Sequence, residues 1–121
     1  RGASLASGAK AMICSINDEQ IVMCVLAADK KISYALLKAH FKVKNLTLLD
    51  VKKLEELTGC LVGAVPPFGS LFGIKTILDP SLIEQGEEMN FNAGLRTESV
   101  NMLVKDYLHI EDPEIVNFSI A

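Results

Sequence analysis

Tryptophan is absent from this chain of 121 residues, and only 6% of the residues are aromatic. No apolar stretch approaches the roughly eighteen residues that a membrane-spanning helix needs, so we expect no contact with a membrane. The N-terminus lacks a basic segment followed by an apolar core and a small-residue cleavage site, and no secretory signal peptide is predicted. Because the chain begins at Arg1 rather than Met, we expect it to be processed or cut from something longer.

Cysteine and histidine are scarce. Three cysteines are present, Cys14, Cys24 and Cys60, and none is paired at a spacing typical of metal ligands. This usage predicts a reducing, cytoplasmic compartment and no metal site. Cys14 and Cys24 lie in apolar stretches and are expected in the core. Cys60 follows Gly59, and a role as a catalytic thiol is left open. A reactive thiol needs an electropositive setting, however, and no histidine lies beside Cys60 in the sequence.

The common catalytic motifs are also missing. The two histidines, His40 and His109, are far in sequence from any clear nucleophile or ligand partner. No serine elbow, phosphate-binding loop or dinucleotide fingerprint is present, and we therefore predict no cofactor.

The composition is that of one globular domain, with 50% apolar and 22% charged residues and a net charge of −3. The charge is unevenly distributed. Residues 1–53 carry nine Lys/Arg and four Asp/Glu (+5), whereas residues 54–121 carry three and eleven (−8). Seven lysines fall within residues 30–53. They can form a basic face for nucleic acid or simply belong to solvated helix faces, and charge alone leaves both readings open.

Hydrophobic patterning predicts a β-hairpin at the N-terminal end, with strands over residues 9–16 and 20–27 that are buried on both faces. Two helices are expected next, one capped by Ser33 and one capped by Asp50 and stopping at Gly59. A short strand over residues 46–49 separates them.

The second half predicts further short strands. They are expected over residues 75–79, ending at Pro80, over 88–94 with 98–104, and over 114–120, with a short helical turn over 105–109. Short strands with two or three helices between them are typical of an α+β domain with a mixed sheet, here expected to close into a barrel-like form.

Two features can carry chemistry. Lys10 interrupts an apolar strand, so its ammonium group must reach solvent, find a partner or occupy a cleft where its pKa is perturbed. The segment Gly63 to Gly69 is an apolar loop with two prolines and two glycines. A rigid loop with bare amides at Gly63 and Ala64 can donate hydrogen bonds to a carbonyl or its oxyanion. An exposed strand lysine and a stiff turn packed on the core are the alternatives.

Taken together and in order, these segments resemble the YbaK/prolyl-tRNA-synthetase-associated domain family. Residues 8–11, Gly-Ala-Lys-Ala, are similar to that family's strand with its functional lysine. Residues 57–69 contain a segment similar to its Gly-x-x-x-Pro loop, here Gly63 to Pro67. Residues 91–94, Phe-Asn-Ala-Gly, followed by Ser99 and Val100, resemble its late strand pair. The resemblance covers roughly residues 2–110.

The resemblance implies an aminoacyl-tRNA deacylase with a mixed, barrel-like sheet and flanking helices. Members hydrolyse the ester of misacylated tRNA, typically tRNA(Pro) carrying alanine or cysteine, as free-standing proteins or joined to prolyl-tRNA synthetase. They are thought to use water or a tRNA hydroxyl rather than a protein nucleophile. The implied partners are therefore tRNA and a synthetase. A non-catalytic module that binds tRNA or a synthetase is the alternative.

The resemblance also assigns site residues. Lys10, Gly63 and Ala64 are predicted to be catalytic. The residues predicted to bind substrate are Val65, Pro66, Pro67, Phe68, Gly69, Asn92 and Gly94. We predict that Gly63 leaves room for close approach of the substrate and that replacing it leaves thermal stability nearly intact. Relatives have further N-terminal helices before the lysine strand, whereas nine residues precede Lys10. The expected unit is thus one domain over residues 1–121 that lacks its N-terminal part and some of the pocket.

Overall fold

A computed structural model describes residues 5–121 of the chain. Its first large feature is the predicted hairpin, in which β1 (Ala9–Ile16) pairs antiparallel with β2 (Gln20–Ala27). The turn places Asn17 and Asp18 at φ 53° and 57°. These two residue types tolerate the left-handed region because their short polar side chains bond to nearby backbone. The hairpin prediction is confirmed.

The hairpin is the centre of a five-stranded mixed sheet. Two outer strands flank β1 and β2, since β4 (Leu46–Leu48) pairs antiparallel with β1 and β5 (Lys75–Leu78) pairs parallel with β2. A short strand, β8 (Glu114–Ile115), then pairs parallel with β5, giving the order β4-β1-β2-β5-β8.

Two small ribbons complete the β structure. One pairs β3 (Lys31–Ile32) with β9 (Ser119–Ile120), and the other pairs β6 (Glu88–Asn92) with β7 (Ser99–Leu103), both antiparallel. A bridge between Gly8 and Asn90 brings the second ribbon against the start of β1.

Within residues 5–121, four α-helices flank the sheet: α1 (Tyr34–Phe41), α2 (Val51–Thr58), α3 (Pro80–Glu84) and α4 (Val104–Glu111). Short 3₁₀ turns span Leu5–Ser7 and Gly69–Phe72. Ser33 caps α1 by accepting from the Leu36 amide, and Gly59 ends α2 at φ 69°, both as predicted. Asp50 occupies the N-cap position of α2, but its side chain makes no capping hydrogen bond. The α+β fold with a mixed sheet is confirmed.

The core lies on both sides of the hairpin. One cluster contains Ile13, Met23 and Val25 together with Tyr107 of α4, and the other contains Cys14 and Cys24 with residues of α1 and the C-terminal segment. Successive residues of a strand point to opposite faces, which explains why neighbours along β1 and β2 enter different clusters. Among the described residues no helix has the length and apolarity needed to cross a membrane.

One local prediction is wrong, and one short helix was not predicted. The expected strand over residues 114–120 is divided into β8 and β9, which belong to different sheets. The division has a physical cause, because Asp79 Oδ1 accepts hydrogen bonds from the amides of Phe118 and Ser119 at 2.8 and 2.9 Å. Pro80 does more than end β5. It occupies the first turn of α3, where a missing N–H is tolerated, and the Asp79 side chain caps that helix through Ser81.

Candidate functional site

A cleft of about 170 Å³ opens where the start of β1 meets the Gly63 loop and β6. Four residues predicted from the sequence line it together: Lys10, Gly63, Val65 and Asn92. The other lining residues are Gly8, Ala9, Ala11, Ala28, Asn90 and Phe91. The structure therefore brings together segments that are more than fifty residues apart in the chain.

Lys10 is the charged residue of this cleft. It is half-buried and stands opposite Leu26 in the hairpin register. Burial lowers the pKa of Lys10 below its ordinary value, Asp29 opposes this by attraction, and Lys31 adds to it by repulsion. Along β1, Ala9 and Ala11 pack with the first core cluster and Met12 with the second, so alternation places Lys10 on the second face. Lys10 borders the cleft at the end of the strand, near the acidic side chain of Asp29.

Gly63 occupies the third position of a tight turn. The amide of Ala64 donates to the carbonyl oxygen of Leu61 at 3.0 Å, and Gly63 has φ +84° whereas Val62 is not among the residues with positive φ. This is the pattern of a type II turn, which requires φ above zero at that position. A Cβ added to Gly63 would find only Arg96 Nε, at an ordinary contact distance of 3.8 Å. The glycine is thus required by backbone conformation, and the expectation that its replacement leaves thermal stability nearly intact is wrong, whereas the room it leaves for a substrate stays a prediction.

The turn also separates the two amides predicted as oxyanion donors. Ala64 is buried, and its amide is already used within the turn. The amide of Gly63 has no hydrogen-bond acceptor among residues 5–121, and Gly63 is exposed. Of the pair, Gly63 therefore keeps a donor for a ligand, whereas Ala64 contributes to the shape of the turn.

The β6–β7 ribbon holds this turn in place by three hydrogen bonds. Asn92 Nδ2 donates to the Gly63 carbonyl oxygen at 2.6 Å, and the Gly94 amide donates to the Ala64 carbonyl oxygen at 2.9 Å. Arg96 Nε donates to the Val62 carbonyl oxygen at 2.9 Å. Asn92 and Gly94 were predicted for the site, whereas Arg96 was missed. Its only signal in the sequence is that it is one of three cations within residues 54–121.

The proline end of the loop is anchored in the core. Tyr107 is fully buried, and its hydroxyl donates to the Pro67 carbonyl oxygen at 2.6 Å. Phe68 packs edge-on against Tyr107 and Phe91, with ring centroids 5.1 and 5.6 Å apart. Pro66 is half-buried, and its carbonyl oxygen accepts a hydrogen bond from the Phe68 amide at 2.8 Å. These contacts give Pro67 and Phe68 a structural role, and direct contact between either of them and a substrate stays a prediction.

Gly69 serves close packing. Its amide donates to Thr76 Oγ1 at 2.8 Å, and a Cβ at this position would lie 2.7 Å from the Ile74 carbonyl oxygen. Thr76 donates in turn to Glu111 Oε2 at 2.6 Å, at the end of α4. Gly69 therefore fixes the far end of the loop to β5 and α4, and its assignment to substrate binding stays a prediction.

Cys60 does not line the cleft. The thiol is half-buried, packs against the first core cluster and donates to the Thr58 carbonyl oxygen at 3.4 Å. Cys14 and Cys24 are fully buried, as predicted. Among residues 5–121 no group of three or more His, Cys, Asp or Glu is arranged to hold a metal ion.

Two other pockets bear on the site. A pocket of about 130 Å³ shares Ala11, Gly63 and Val65 with the cleft, and apolar side chains such as Leu48 and Val51 form its walls. A larger groove of about 390 Å³ lies between α3 and α4, but it contains no residue predicted for the site. Size alone therefore does not identify the functional pocket, and the convergence of polar groups favours the smaller cleft.

Comparison with known proteins identifies the family of this chain. The aminoacyl-tRNA editing domain family matches residues 1–110. The multifunctional Ser/Thr-tRNA deacylase ProXp-y of Escherichia coli strain K12 is 40% identical over 121 residues, which is 98% of this chain and 72% of that protein. The same protein of Escherichia coli O157:H7 matches equally.

Solved structures support the fold. A candidate trans-editing enzyme for prolyl tRNA synthetase superposes with a TM-score of 0.87 at 17% identity, over 99% of this chain and 74% of that one. A protein described only as hypothetical superposes with a TM-score of 0.86 at 21% identity, over 98% of this chain and 78% of that one.

The family model and the 40% identical relative define the class, a hydrolase that acts on the ester of aminoacyl-tRNA. The chain belongs to the aminoacyl-tRNA editing domain family, the YbaK type that the sequence resembles. It is an aminoacyl-tRNA deacylase domain, which confirms the predicted enzyme class.

Proposed function

We propose that the cleft lined by Lys10 and Gly63 is the deacylation site, where the ester between an amino acid and the terminal ribose of tRNA is hydrolysed. The observation that carries the proposal is the meeting of Lys10, the Gly63 turn and Asn92 around one opening. Lys10 supplies a cation for an acceptor on the terminal nucleotide. The turn supplies a backbone donor, and Asn92 fixes the adjacent Gly63–Ala64 peptide.

The proposed chemistry follows from the groups that line the cleft. Ester hydrolysis places negative charge on the carbonyl oxygen when the tetrahedral intermediate forms. The exposed amide of Gly63 is suited to donate a hydrogen bond to that oxygen, because the type II turn and the Asn92 hydrogen bond orient it before the substrate arrives. A preorganised donor of this kind typically lowers the activation barrier by about 2.7–4 kcal/mol.

The attacking group is proposed to be water or a ribose hydroxyl. The described residues that line the cleft include no Ser, Thr, Cys, His, Asp or Glu. Lys10 carries the only ionisable side chain in that set. The half-buried thiol of Cys60 lies elsewhere and is bonded to its own chain. Catalysis is therefore attributed to position and electrostatics, with the substrate held near its attacking group.

Seryl- and threonyl-tRNA are the first candidate substrates. The 40% identical ProXp-y protein is named for them, and that identity spans nearly the whole chain. Alanyl- and cysteinyl-tRNA(Pro), expected from the sequence, are the second candidates. They are favoured by the apolar walls of the pocket of about 130 Å³ beside Gly63. Such a wall rejects an added hydroxyl only weakly, by about a hundredfold at most, so the two sets can overlap.

A deacylation panel tests the proposal. The chain is incubated with seryl-, threonyl-, alanyl-, cysteinyl- and prolyl-tRNA, and loss of each ester is followed in time. We expect turnover of the small misacylated substrates, with seryl- and threonyl-tRNA fastest, and none of prolyl-tRNA(Pro). tRNA binding without turnover of any ester would instead favour the alternative, a module that binds tRNA or a synthetase. A cytoplasmic location, predicted from cysteine usage, agrees with a substrate made for translation.

A further inference from the structure

Arg96 lies at the turn that carries the Gly63 amide. It stands in the connection between β6 and β7, and its Nε donates to the Val62 carbonyl oxygen at 2.9 Å. A Cβ on Gly63 would be 3.8 Å from the same Nε atom. The guanidinium group therefore contacts the Val62–Gly63 peptide, which carries the proposed oxyanion donor.

Most of this guanidinium group is still available. Arginine has five N–H donors, of which the bond to Val62 uses one. The side chain is exposed, and within residues 5–121 it has no salt bridge. Residues 54–121, the acidic part of the chain, carry two other cations: Lys75, which pairs with Glu114, and Lys105 of α4. Of these three cations, Arg96 is the one that contacts the loop containing Gly63.

We propose that Arg96 is a positioning residue for deacylation, holding the Val62–Gly63 peptide through Nε and binding a phosphate of the tRNA 3′ end through its terminal amino groups. The inference rests on the proposed function of the cleft. A planar guanidinium group with one committed nitrogen presents a fork that matches phosphate oxygens, which an ammonium group cannot reproduce. Lys10 of β1 lines the cleft, and Arg96 of the β6–β7 connection adds a second cation at the Gly63 turn that borders it.

The test compares Arg96→Met and Arg96→Lys with Lys105→Met, a matched control that removes an exposed cation of the same half outside the cleft. Single-turnover deacylation gives the rate and the half-saturating concentration of enzyme, and tRNA binding is measured separately at several salt concentrations. We expect Arg96→Met to raise the half-saturating concentration about tenfold, to slow the chemical step, and to reduce the salt slope of tRNA binding by about one. Arg96→Lys should restore the salt slope but not the rate, and Lys105→Met should change neither.

An unchanged salt slope and half-saturating concentration in Arg96→Met would overturn the phosphate contact, even if the variant lost thermal stability. Full rescue of the rate by Arg96→Lys would overturn the role of the Nε hydrogen bond. Failure of the proposed function is a separate result. If the wild-type chain shows no turnover, the salt slopes of tRNA binding by wild type and Arg96→Met can still be compared, and their difference tests the phosphate contact.

Discussion

The side-chain amide of Asn92 donates a hydrogen bond of 2.6 Å to the carbonyl oxygen of Gly63, which is 29 residues away in the chain. This bond ties the last residue of β6 to the turn that carries the proposed oxyanion donor. Because the carbonyl oxygen and the amide of Gly63 belong to adjacent peptide units, fixing one restricts the direction of the other. The relationship explains how a loop can be a preorganised site.

Replacing Asn92 with alanine should loosen this turn without unfolding the domain. A single hydrogen bond contributes about 0.5–1.5 kcal/mol to stability, and this one is partly solvent-accessible. We expect Asn92→Ala to slow deacylation about fivefold to tenfold in single turnover while the thermal midpoint changes by only a few degrees. Asn45→Ala is the control, because its amide makes one hydrogen bond, to Asp18, in a distant turn. Equal effects of the two variants on deacylation would contradict the role of Asn92.

Gly63→Ala should lower both stability and activity. Alanine at φ +84° costs roughly 1–2 kcal/mol in backbone conformation. Gly59→Ala is a matched control, since Gly59 has φ +69° and open space around its added Cβ. Chemical denaturation should show similar losses for the two variants, but only Gly63→Ala should slow deacylation, by at least about tenfold or 1.4 kcal/mol of barrier. If Gly59→Ala slowed deacylation as much as Gly63→Ala, the loss of activity would result from global destabilisation rather than from a role of Gly63 in the site.

Asp79 makes the fold depend on pH. It is 1% exposed; burial alone would raise its pKa, but hydrogen bonds from Ser81, Phe118 and Ser119 outweigh this and hold the pKa below its usual value. A carboxyl with a depressed folded pKa stabilises the protein above its unfolded pKa of about 3.9, and the contribution is lost as pH falls through the folded pKa. We expect Asp79→Asn to reduce the free energy of unfolding by about 2–3 kcal/mol at pH 7.

The difference between wild type and Asp79→Asn should narrow below about pH 4, where the carboxylate begins to protonate in the unfolded chain while it stays charged in the folded one. Urea denaturation of both proteins between pH 3 and pH 7 measures it. Asp106→Asn, at an exposed position of α4, should leave the curve close to wild type. A difference that stays constant over this range would show that the charge of Asp79 is not what stabilises the C-terminal segment.

Local sequence patterns predicted the elements that depend on local physics. The β1–β2 hairpin, the Ser33 cap and the Gly59 stop follow from alternation, side-chain capping and left-handed backbone. The short helix α3 was missed although its signal, an Asp followed by Pro, is present at residues 79 and 80. Five residues are too few to show helical periodicity.

The site was only partly predictable. The resemblance singled out Lys10, Gly63 and Asn92, which line one cleft. The hydrogen bonds that shape the loop join residues far apart in the chain, such as Tyr107 with Pro67 over 40 positions and Arg96 with Val62 over 34. No local pattern encodes such pairs, so the sequence could not separate Gly63, whose amide is available, from Ala64, whose amide is used.

The lysines of residues 30–53 stay a prediction for tRNA binding. The set comprises Lys30, Lys31, Lys38, Lys42, Lys44, Lys52 and Lys53. Lys42 and Lys44 are exposed at the end of α1, where point charges can neutralise phosphates without reading bases. We expect the double change Lys42→Glu and Lys44→Glu to weaken tRNA binding at low salt by at least tenfold and to reduce its salt slope. Affinity unchanged at low salt would remove this face from the interface.

The central claim is that Lys10 and the Gly63 loop act as one site without a protein nucleophile. The most direct measurement is the single-turnover deacylation rate of Lys10→Ala beside Cys60→Ser, on whichever misacylated tRNA the wild type hydrolyses fastest. The account predicts that Lys10→Ala is slower by at least about tenfold, equivalent to 1.4 kcal/mol of barrier, with nearly unchanged thermal stability, and that Cys60→Ser retains the wild-type rate. Full activity of Lys10→Ala together with an inactive Cys60→Ser would contradict the account and assign the reaction to the thiol.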